Sequence, residues 1–380
     1  MKNFVTIFPR TENVHLTKDV GAIPYTFHAH LGYNSTLVCI QNGDYPHNEL
    51  YTRGLHMEFI EGDTQRSIDD AWYEYRLIKK YLSKNARRID VLNLYHYTIP
   101  HVLLLAYYKL RNPKGIAYLK LDADFIALPH TAQAYASMRK NPIKLAVKRW
   151  LLNKVDIISA ESHEICDRAA ASLNHKITYI PNGFFAHDTI AKADIGQKKN
   201  QFITVGRLGS YQKNTESILR AFAKIYQTCD WDLVLVGPSE GNFLAEMRSL
   251  FDANEGLADR VIYKGAVSDK AELSNLYGIA KVFLLPSRWE SFGLVVVEAQ
   301  SEGCYLVLSD QVVPYPEFTD NGRLGQVIPA ENDDALANAM LQATQIEYDP
   351  QTYRNYAYQH FSWKSICEKL NFAILEMGKE

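Results

Sequence analysis

The chain predicts an α/β protein built as two doubly wound domains in series, and three observations carry that expectation. Short β-branched runs alternate with amphipathic helical stretches along most of its 380 residues. The alternation pauses at a polar stretch over 187–200 and then begins again. The length is enough for two ordinary hydrophobic cores. Strands that alternate with helices form parallel sheets, because a right-handed crossover through a helix brings the chain back beside the strand it left.

In order, the strands expected are FVTIF (4–8), STLVCI (35–40), DVLNLY (90–95), AYLKL (117–121), DIISA (156–160) and ITYIP (177–181), with helices over 67–84 and 99–110 among the connections. After the pause come FITVG, DLVLVG, VIYKG, VFLLP, YLVLSD and GQVIP, again with helices between. From Tyr353 the chain reads as helical and aromatic. The expected boundaries are a first Rossmann-like domain over 1–186, a linker over 187–200, a second Rossmann-like domain over 201–350 and a helical segment over 351–380. Ligands of open α/β sheets lie beyond the carboxyl ends of the strands, so both domains are expected to face one interdomain cleft.

Hydrophobic residues make up 47% of the chain and charged residues 22%, as in soluble globular proteins. No run of about 18 apolar residues marks a transmembrane helix. MKNFVTIFPR turns polar too soon for a signal peptide and reads as a first buried strand. The five cysteines, Cys39, Cys166, Cys229, Cys304 and Cys367, are scattered and lack C-x-x-C spacing. They point to packed thiols in a reducing, cytoplasmic setting and to no metal site. Net charge is −2, which gives no reason to expect a nucleic-acid partner. The charge is uneven, however: residues 1–190 hold 23 Lys+Arg against 18 Asp+Glu, and the remainder 18 against 25. A basic first half suits an acidic partner or a membrane surface, or is simply a solvated surface.

The segment PSRWESFGLVVVEAQSEG (286–303) carries the most chemistry. Glu290 and Glu298 stand eight apart, with Ser291, Phe292, Gly293 and Leu294 directly after the first. An apolar strand runs in and an apolar helix runs out. The helix start offers unpaired N–H groups and a positive dipole end, which suits phosphate. Carboxylates there must instead accept hydrogen bonds from neutral hydroxyls, as sugars and riboses supply. Upstream, Gly206 and Arg207 end a strand, and Lys213 precedes Thr215, a good N-cap residue. Two fixed cations at a strand's carboxyl end can neutralise a diphosphate.

These segments, with WDLVLVGP (231–238) and VIYKGAVSDKAELSNLYGIA (261–280), resemble the retaining glycosyltransferases of family 4, with their E-x7-E signature and GT-B fold. The match runs in order over roughly 150 residues of the second half; the first 180 match in layout only. The resemblance implies that Arg207 and Lys213 grip a donor diphosphate, that Glu298 holds the ribose, that Glu290 holds the transferred sugar, and that Tyr263 to Val267 line the base pocket. It also implies a terminal helix that crosses back to the first domain. The implied reaction moves a hexose or N-acetylhexosamine, with retention, from a nucleotide-sugar donor, UDP-linked by this reading. The acceptor hydroxyl belongs to a glycan that is free, lipid-linked or protein-linked, and no organic cofactor or metal is implied. Two alternatives stay open: a degenerate transferase serving as a binding or chaperone subunit of a glycosylating complex, and a sugar-nucleotide epimerase. A glycosidase has no use for Arg207 and Lys213 at a phosphate position.

The acceptor half is less legible. HLTKDVGAIPYTFHAHLGY (15–33) supplies Lys18, Asp19 and Gly21 as acceptor-side candidates, Gly21 for close backbone approach and Asp19 alternatively as a helix N-cap. Where many family members carry a histidine, this chain reads AYLKLDADFIAL, so Lys120 and Asp122 become candidates to position the sugar. LDAD also looks like the D-x-D of metal-dependent transferases, a cheap match at three residues. His96 is a further strand-end candidate. Residues 139–154 place Ile143, Val147, Trp150 and Leu151 on one helical stripe and Lys140, Lys144 and Lys148 beside it, with Arg149 and Lys154 near. Such a helix either docks peripherally on an anionic membrane or packs its stripe inward.

Overall fold

The computed structural model describes residues 1–63, 71–122, 142–186 and 195–378. The chain forms two compact units, Met1–Phe185 with Ser362–Glu380, and Ala186–Phe361.

The first unit is built on strands β1 (Asn3–Ile7), β2 (Asn34–Cys39), β3 (His56–Phe59), β4 (Val91–Tyr95), β5 (Ile116–Lys120), β6 (Ile157–Ala160) and β7 (Thr178–Tyr179). Among the described residues they make one sheet in the order β3-β2-β1-β4-β5-β6-β7, and its ladders are parallel. Every residue of β4 and β5 is buried, as expected for central strands covered on both faces. The strand missing from the sequence reading is β3, HMEF. It lies at the sheet edge with a half-exposed pattern, so no apolar run announces it.

Helix Asp19–Leu31 buries Val20, Ala22, Ile23 and Phe27. Phe27 stacks on Phe4 of β1 with ring centroids 4.3 Å apart. The C-terminal helix Trp363–Met377 belongs to this unit. Its buried Trp363, Ile366, Leu370 and Ile374 fall on one stripe and join Phe4, Ile23 and Tyr118 in a single core. Ser362 opens this helix, its hydroxyl accepting from the Ser365 N–H.

The second unit carries β8 (Lys199–Val205), β9 (Asp232–Val236), β10 (Val261–Gly265), β11 (Ala280–Leu285), β12 (Tyr305–Ser309) and β13 (Gly325–Ile328), in the order β10-β9-β8-β11-β12-β13. Its ladders are parallel too. Helix Thr215–Ile225 buries Ile218, Leu219, Phe222 and Ile225 in a core with Phe202, Trp231 and Met340.

Two boundaries differ from those read in the sequence. β8 begins at Lys199, inside the stretch assigned to a linker, because its first residues are polar and exposed and carry no strand signature. Helix Pro350–Phe361 stays with the second unit, and the chain passes to the first at Ser362. Three contacts hold that helix: Arg354 Nη2 to Glu302 Oε2 at 2.6 Å, Tyr356 Oη to the Glu317 carbonyl at 2.6 Å, and Tyr353 against Tyr305. Among the described residues no helix is long and apolar enough to cross a membrane. The five cysteines are unpaired, and all but Cys229 are buried.

Candidate functional site

Both sheets reverse direction of winding at their centre, between β1 and β4 in the first unit and between β8 and β11 in the second. The carboxyl ends of strands beside such a reversal form the natural ligand crevice of a doubly wound sheet. Lys18, Asp19 and His96 fall beside the first reversal, with Lys120 and Asp122 one strand over at the end of β5, and Arg207, Lys213 and Glu290 to Leu294 fall beside the second.

In the second unit the loop after β8 and the loop after β11 are zipped together. Arg288 N–H donates to the Gln212 carbonyl at 2.8 Å. Gln212 Nε2 donates to the Trp289 carbonyl at 3.1 Å, and its Oε1 accepts from Arg207 Nη2 at 3.1 Å. Asn214 Nδ2 reaches the Pro286 carbonyl at 3.2 Å. Glu290 is fixed at its backbone as well, its N–H donating to the Gln311 carbonyl and its carbonyl accepting from Val313, each at 3.0 Å. On this frame Lys213 Nζ meets Glu290 Oε2 at 2.6 Å, with both side chains largely buried. The structure thus joins the two residues that the resemblance gave to phosphate and sugar. Gly206 lies beneath the Lys213 stem. Arg207 is more open: its side chain is 55% exposed, with Glu240 Oε1 3.7 Å from Nη1.

Thr215 is not the N-cap of its helix. Asn214 takes that position in a left-handed conformation, and the Thr215 hydroxyl accepts from the Gly209 N–H at 2.7 Å. The threonine therefore ties down the loop that carries Arg207.

Helix Leu294–Ser301 starts at Gly293, whose φ of +90° favours glycine, and no side chain caps it. A Cβ at Gly293 would press on Glu290 Cγ at 3.1 Å. Phe292 offers only its backbone to this turn; its ring is buried against Phe318, centroids 5.1 Å apart. Ser291 and Leu294 are half-buried at the helix start. Glu298, farther along the helix, pairs with Lys270 Nζ at 2.8 Å. Tyr263 and Val267 lie on and just after β10, the edge strand, with Tyr263 exposed.

The first unit gathers its candidates around a buried ammonium. Lys120 ends β5 with no exposed surface. Its Nζ lies 3.3 Å from Glu161 Oε1, 3.4 Å from the Ile180 carbonyl and 4.0 Å from Asp19 Oδ2. Burial opposes the charge on Lys120, but Glu161 and Asp19 outweigh it and hold the ammonium above its ordinary range. One cation serves two buried acids. Asp19 takes the proton: burial, and then the Asp122 charge, push its carboxyl up to about 7. Burial raises the carboxyl of Glu161, the nearer, as well, against the pull of Lys120. Asp19 Oδ2 and Glu161 Oε2 are both buried without a hydrogen-bond partner. With no exposed surface, Lys120 acts on anything outside the core only through these acids.

Around this centre sit the exposed candidates. Asp122 and His96 follow β5 and β4, both with positive φ, +40° and +60°. His96 N–H donates to the Lys120 carbonyl at 2.9 Å. Such backbones in non-glycine residues cost free energy and tend to mark functional turns. Lys18 is exposed and occupies the N-cap position of helix Asp19–Leu31 without a side-chain cap bond, so Asp19 is the first helical residue and not the cap. Gly21 does not open the backbone to a ligand. A Cβ there would lie 2.6 Å from Leu16 Cα, so its small size lets the helix pack on the preceding turn. Asp124, the second acid of LDAD, lies outside the described residues, as do Arg139 and Lys140 of the basic helix. That helix runs Pro142–Leu152, with Val147 and Trp150 each about half exposed.

Sequence reading missed three members of these sites. Glu161 directly follows an apolar strand, the signal that had singled out His96. Gln212 and Lys270 gave no such signal, because Trp289 and Glu298, to which they donate, lie 77 and 28 residues along the chain.

A family model for Glycosyl transferases group 1 matches residues 187–360, and one for Glycosyltransferase Family 4 matches residues 27–185. A lipopolysaccharide core biosynthesis mannosyltransferase of Rhizobium leguminosarum bv. viciae is 28% identical over 51% of this chain and 56% of its own length. An Escherichia coli UDP-Gal:alpha-D-GlcNAc-diphosphoundecaprenol alpha-1,3-galactosyltransferase is 29% identical over 57% of this chain and 59% of its own. The matched segments thus span a little over half the length of these relatives. Among solved structures, an Anabaena protein in complex with UDP superposes with a TM-score of 0.69 at 16% identity, covering 99% of this chain and 100% of that one.

Proposed function

This chain belongs to the family 4 glycosyltransferases and has their GT-B fold, and from that premise we propose that it moves a hexose or N-acetylhexosamine from a UDP-linked donor to a glycan hydroxyl, with retention of configuration. The observation that carries the reading is the Lys213–Glu290 pair between the two zipped loops, with Arg207 on the first of them.

Departure of a nucleoside diphosphate builds negative charge on the leaving oxygen. Lys213 and Arg207 supply fixed positive charge for it, and the uncapped start of helix Leu294–Ser301 supplies N–H donors. A diphosphate draws Lys213 from Glu290, which leaves that carboxylate free to accept hydrogen bonds from hydroxyls of the transferred sugar. Glu298 does the same for the ribose, with Lys270 holding it in place. The base lies toward β10, along Tyr263 to Val267. In the first unit Lys18, Asp19, Asp122 and His96 form the acceptor side, with Lys120 positioning Asp19 from beneath.

The acceptor is a growing glycan, lipid-linked or protein-linked, and the enzyme works in the cytoplasm at the inner face of a membrane. Exposed Val147 and Trp150 beside Arg149 support peripheral docking, as does Lys154 Nζ, 5.5 Å above the Trp150 ring. The names of the relatives above, which include a diphosphoundecaprenol-linked acceptor, support a lipid-linked one.

A thermal-shift panel of nucleotides and nucleotide-sugars tests the donor reading, because a ligand that binds only the native state raises the melting temperature. Stabilisation by UDP or its sugars without metal, lost in Arg207→Ala, is the expected result. No response to any nucleotide would sink it, and a response only with Mn²⁺ would turn attention to LDAD.

A further inference from the structure

Tyr211 sits in the Arg207–Lys213 loop with 70% of its surface exposed. Exposed tyrosines are common, and exposure alone means little. This ring, however, is held. The Arg288 guanidinium lies against one face, its Cζ 4.2 Å from the ring centroid. Arg288 is itself fixed, with Nη1 donating to the Tyr211 carbonyl and Nε to Glu331 Oε1, each at 2.6 Å. Trp289 stands beside the ring, centroids 5.9 Å apart. The next residue after Tyr211 is Gln212, which bonds Arg207 and the Trp289 carbonyl. The next after Trp289 is Glu290. An ordered aromatic face therefore borders the sugar end of the donor site.

We propose that Tyr211, backed by Arg288 and flanked by Trp289, is the platform on which a pyranose ring of the acceptor glycan stacks. The proposal rests on the donor reading above, since it takes Glu290 as the place of the transferred sugar. The negative face of an aromatic ring attracts the slightly positive C–H hydrogens of a pyranose face. Arg288 is matched by Glu331, so the platform carries no spare charge and suits a neutral sugar ring rather than a phosphate. It is not the base pocket. The sheet runs β10-β9-β8-β11-β12-β13, with the base-side residues on β10. Arg288 instead reaches Glu331, three residues beyond β13 at the opposite edge. A rigid ring also loses little conformational entropy on binding.

The test is a titration of the full-length protein, followed by tryptophan fluorescence, with four neutral trisaccharides: maltotriose, cellotriose, mannotriose and chitotriose. UDP binding is measured in parallel. Tyr211→Ala is expected to raise the dissociation constant of the best-bound trisaccharide about five- to tenfold, the scale of one lost stacking contact. Tyr211→Phe is expected to restore it, and UDP affinity should be the same in all three proteins. Equal trisaccharide affinity in Tyr211→Ala overturns the platform. So does a wild type that binds UDP but none of the four sugars. A wild type that binds a trisaccharide through Tyr211 but not UDP refutes the donor reading and leaves a sugar platform standing.

Discussion

The two units share one strand order over six strands, the first adding β7, and both place ions at the strands' carboxyl ends, yet they use them in opposite ways. In the second unit Lys213 and Glu290 come from two loops and keep about an eighth of their side-chain surface in solvent. Each is held by backbone bonds independent of the pair, so the pair can part without the loops moving. In the first unit Lys120 is wholly enclosed, and its carboxylate partners arrive from helix Asp19–Leu31 and from the end of β6. Parting those charges means opening the core. An ion pair at a loop junction can exchange partners with a ligand, whereas one beneath the strand ends fixes the floor on which other residues stand.

That contrast breaks first at Lys120. Lys120→Met leaves Asp19 and Glu161 buried without their cation, and such losses cost about 3–5 kcal/mol. Urea denaturation is expected to show a drop of that size. A loss under about 1 kcal/mol would mean that the lysine is not the keystone of the first unit.

The second unit should respond in the other coordinate. Lys213→Met is expected to lower turnover about a hundredfold or more, as for removal of a group that stabilises transition-state charge. The urea midpoint should fall by less than in Lys120→Met, because this pair keeps about an eighth of its side-chain surface in solvent whereas Lys120 keeps none. Steady-state release of UDP from a UDP-sugar, beside the same denaturation curve, reads both. A variant as unstable as Lys120→Met but active would reverse the roles assigned to the two pairs.

The smallest effect concerns the proton on Asp19. Its carboxyl is raised in the folded state to about 7, from an unfolded value near 3.8. Between those values the folded protein holds a proton that the unfolded chain has released. The stability this confers is present at acid pH and is lost as pH rises through about 7. Asp19→Asn removes that titration. Urea midpoints between pH 4.5 and 8 are expected to fall less steeply with pH in the variant than in the wild type. Identical slopes would show that the proton resides elsewhere, with Glu161 as the next candidate.

The sequence was most informative where function requires local neighbours. Glu290 through Leu294 are contiguous, and the turn they form follows from an apolar strand, a glycine and an apolar helix. Arg207 and Lys213 lie within one loop. The C-terminal helix was legible as amphipathic, although the place where the chain changes units depended on Arg354, Tyr353 and Tyr356 finding partners more than 30 residues away. The acceptor side was less legible because its residues are joined through the fold. Lys120 read as a group that could reach a sugar, and Gly21 as an opening for one. The first is enclosed by acids and the second by the backbone of Leu16.

Sequence by itself determined the alternation of strands and helices, the two-domain plan, and the residue types at the carboxyl ends of β8 and β11, since these depend on period and on short-range spacing. Tertiary structure alone decided which charges are spent on one another. Lys213 with Glu290, Lys270 with Glu298, and Lys120 with Glu161 are 77, 28 and 41 residues apart. A charge's neighbours and its distance from water set whether it binds a ligand or supports a core, and both are properties of the packed fold.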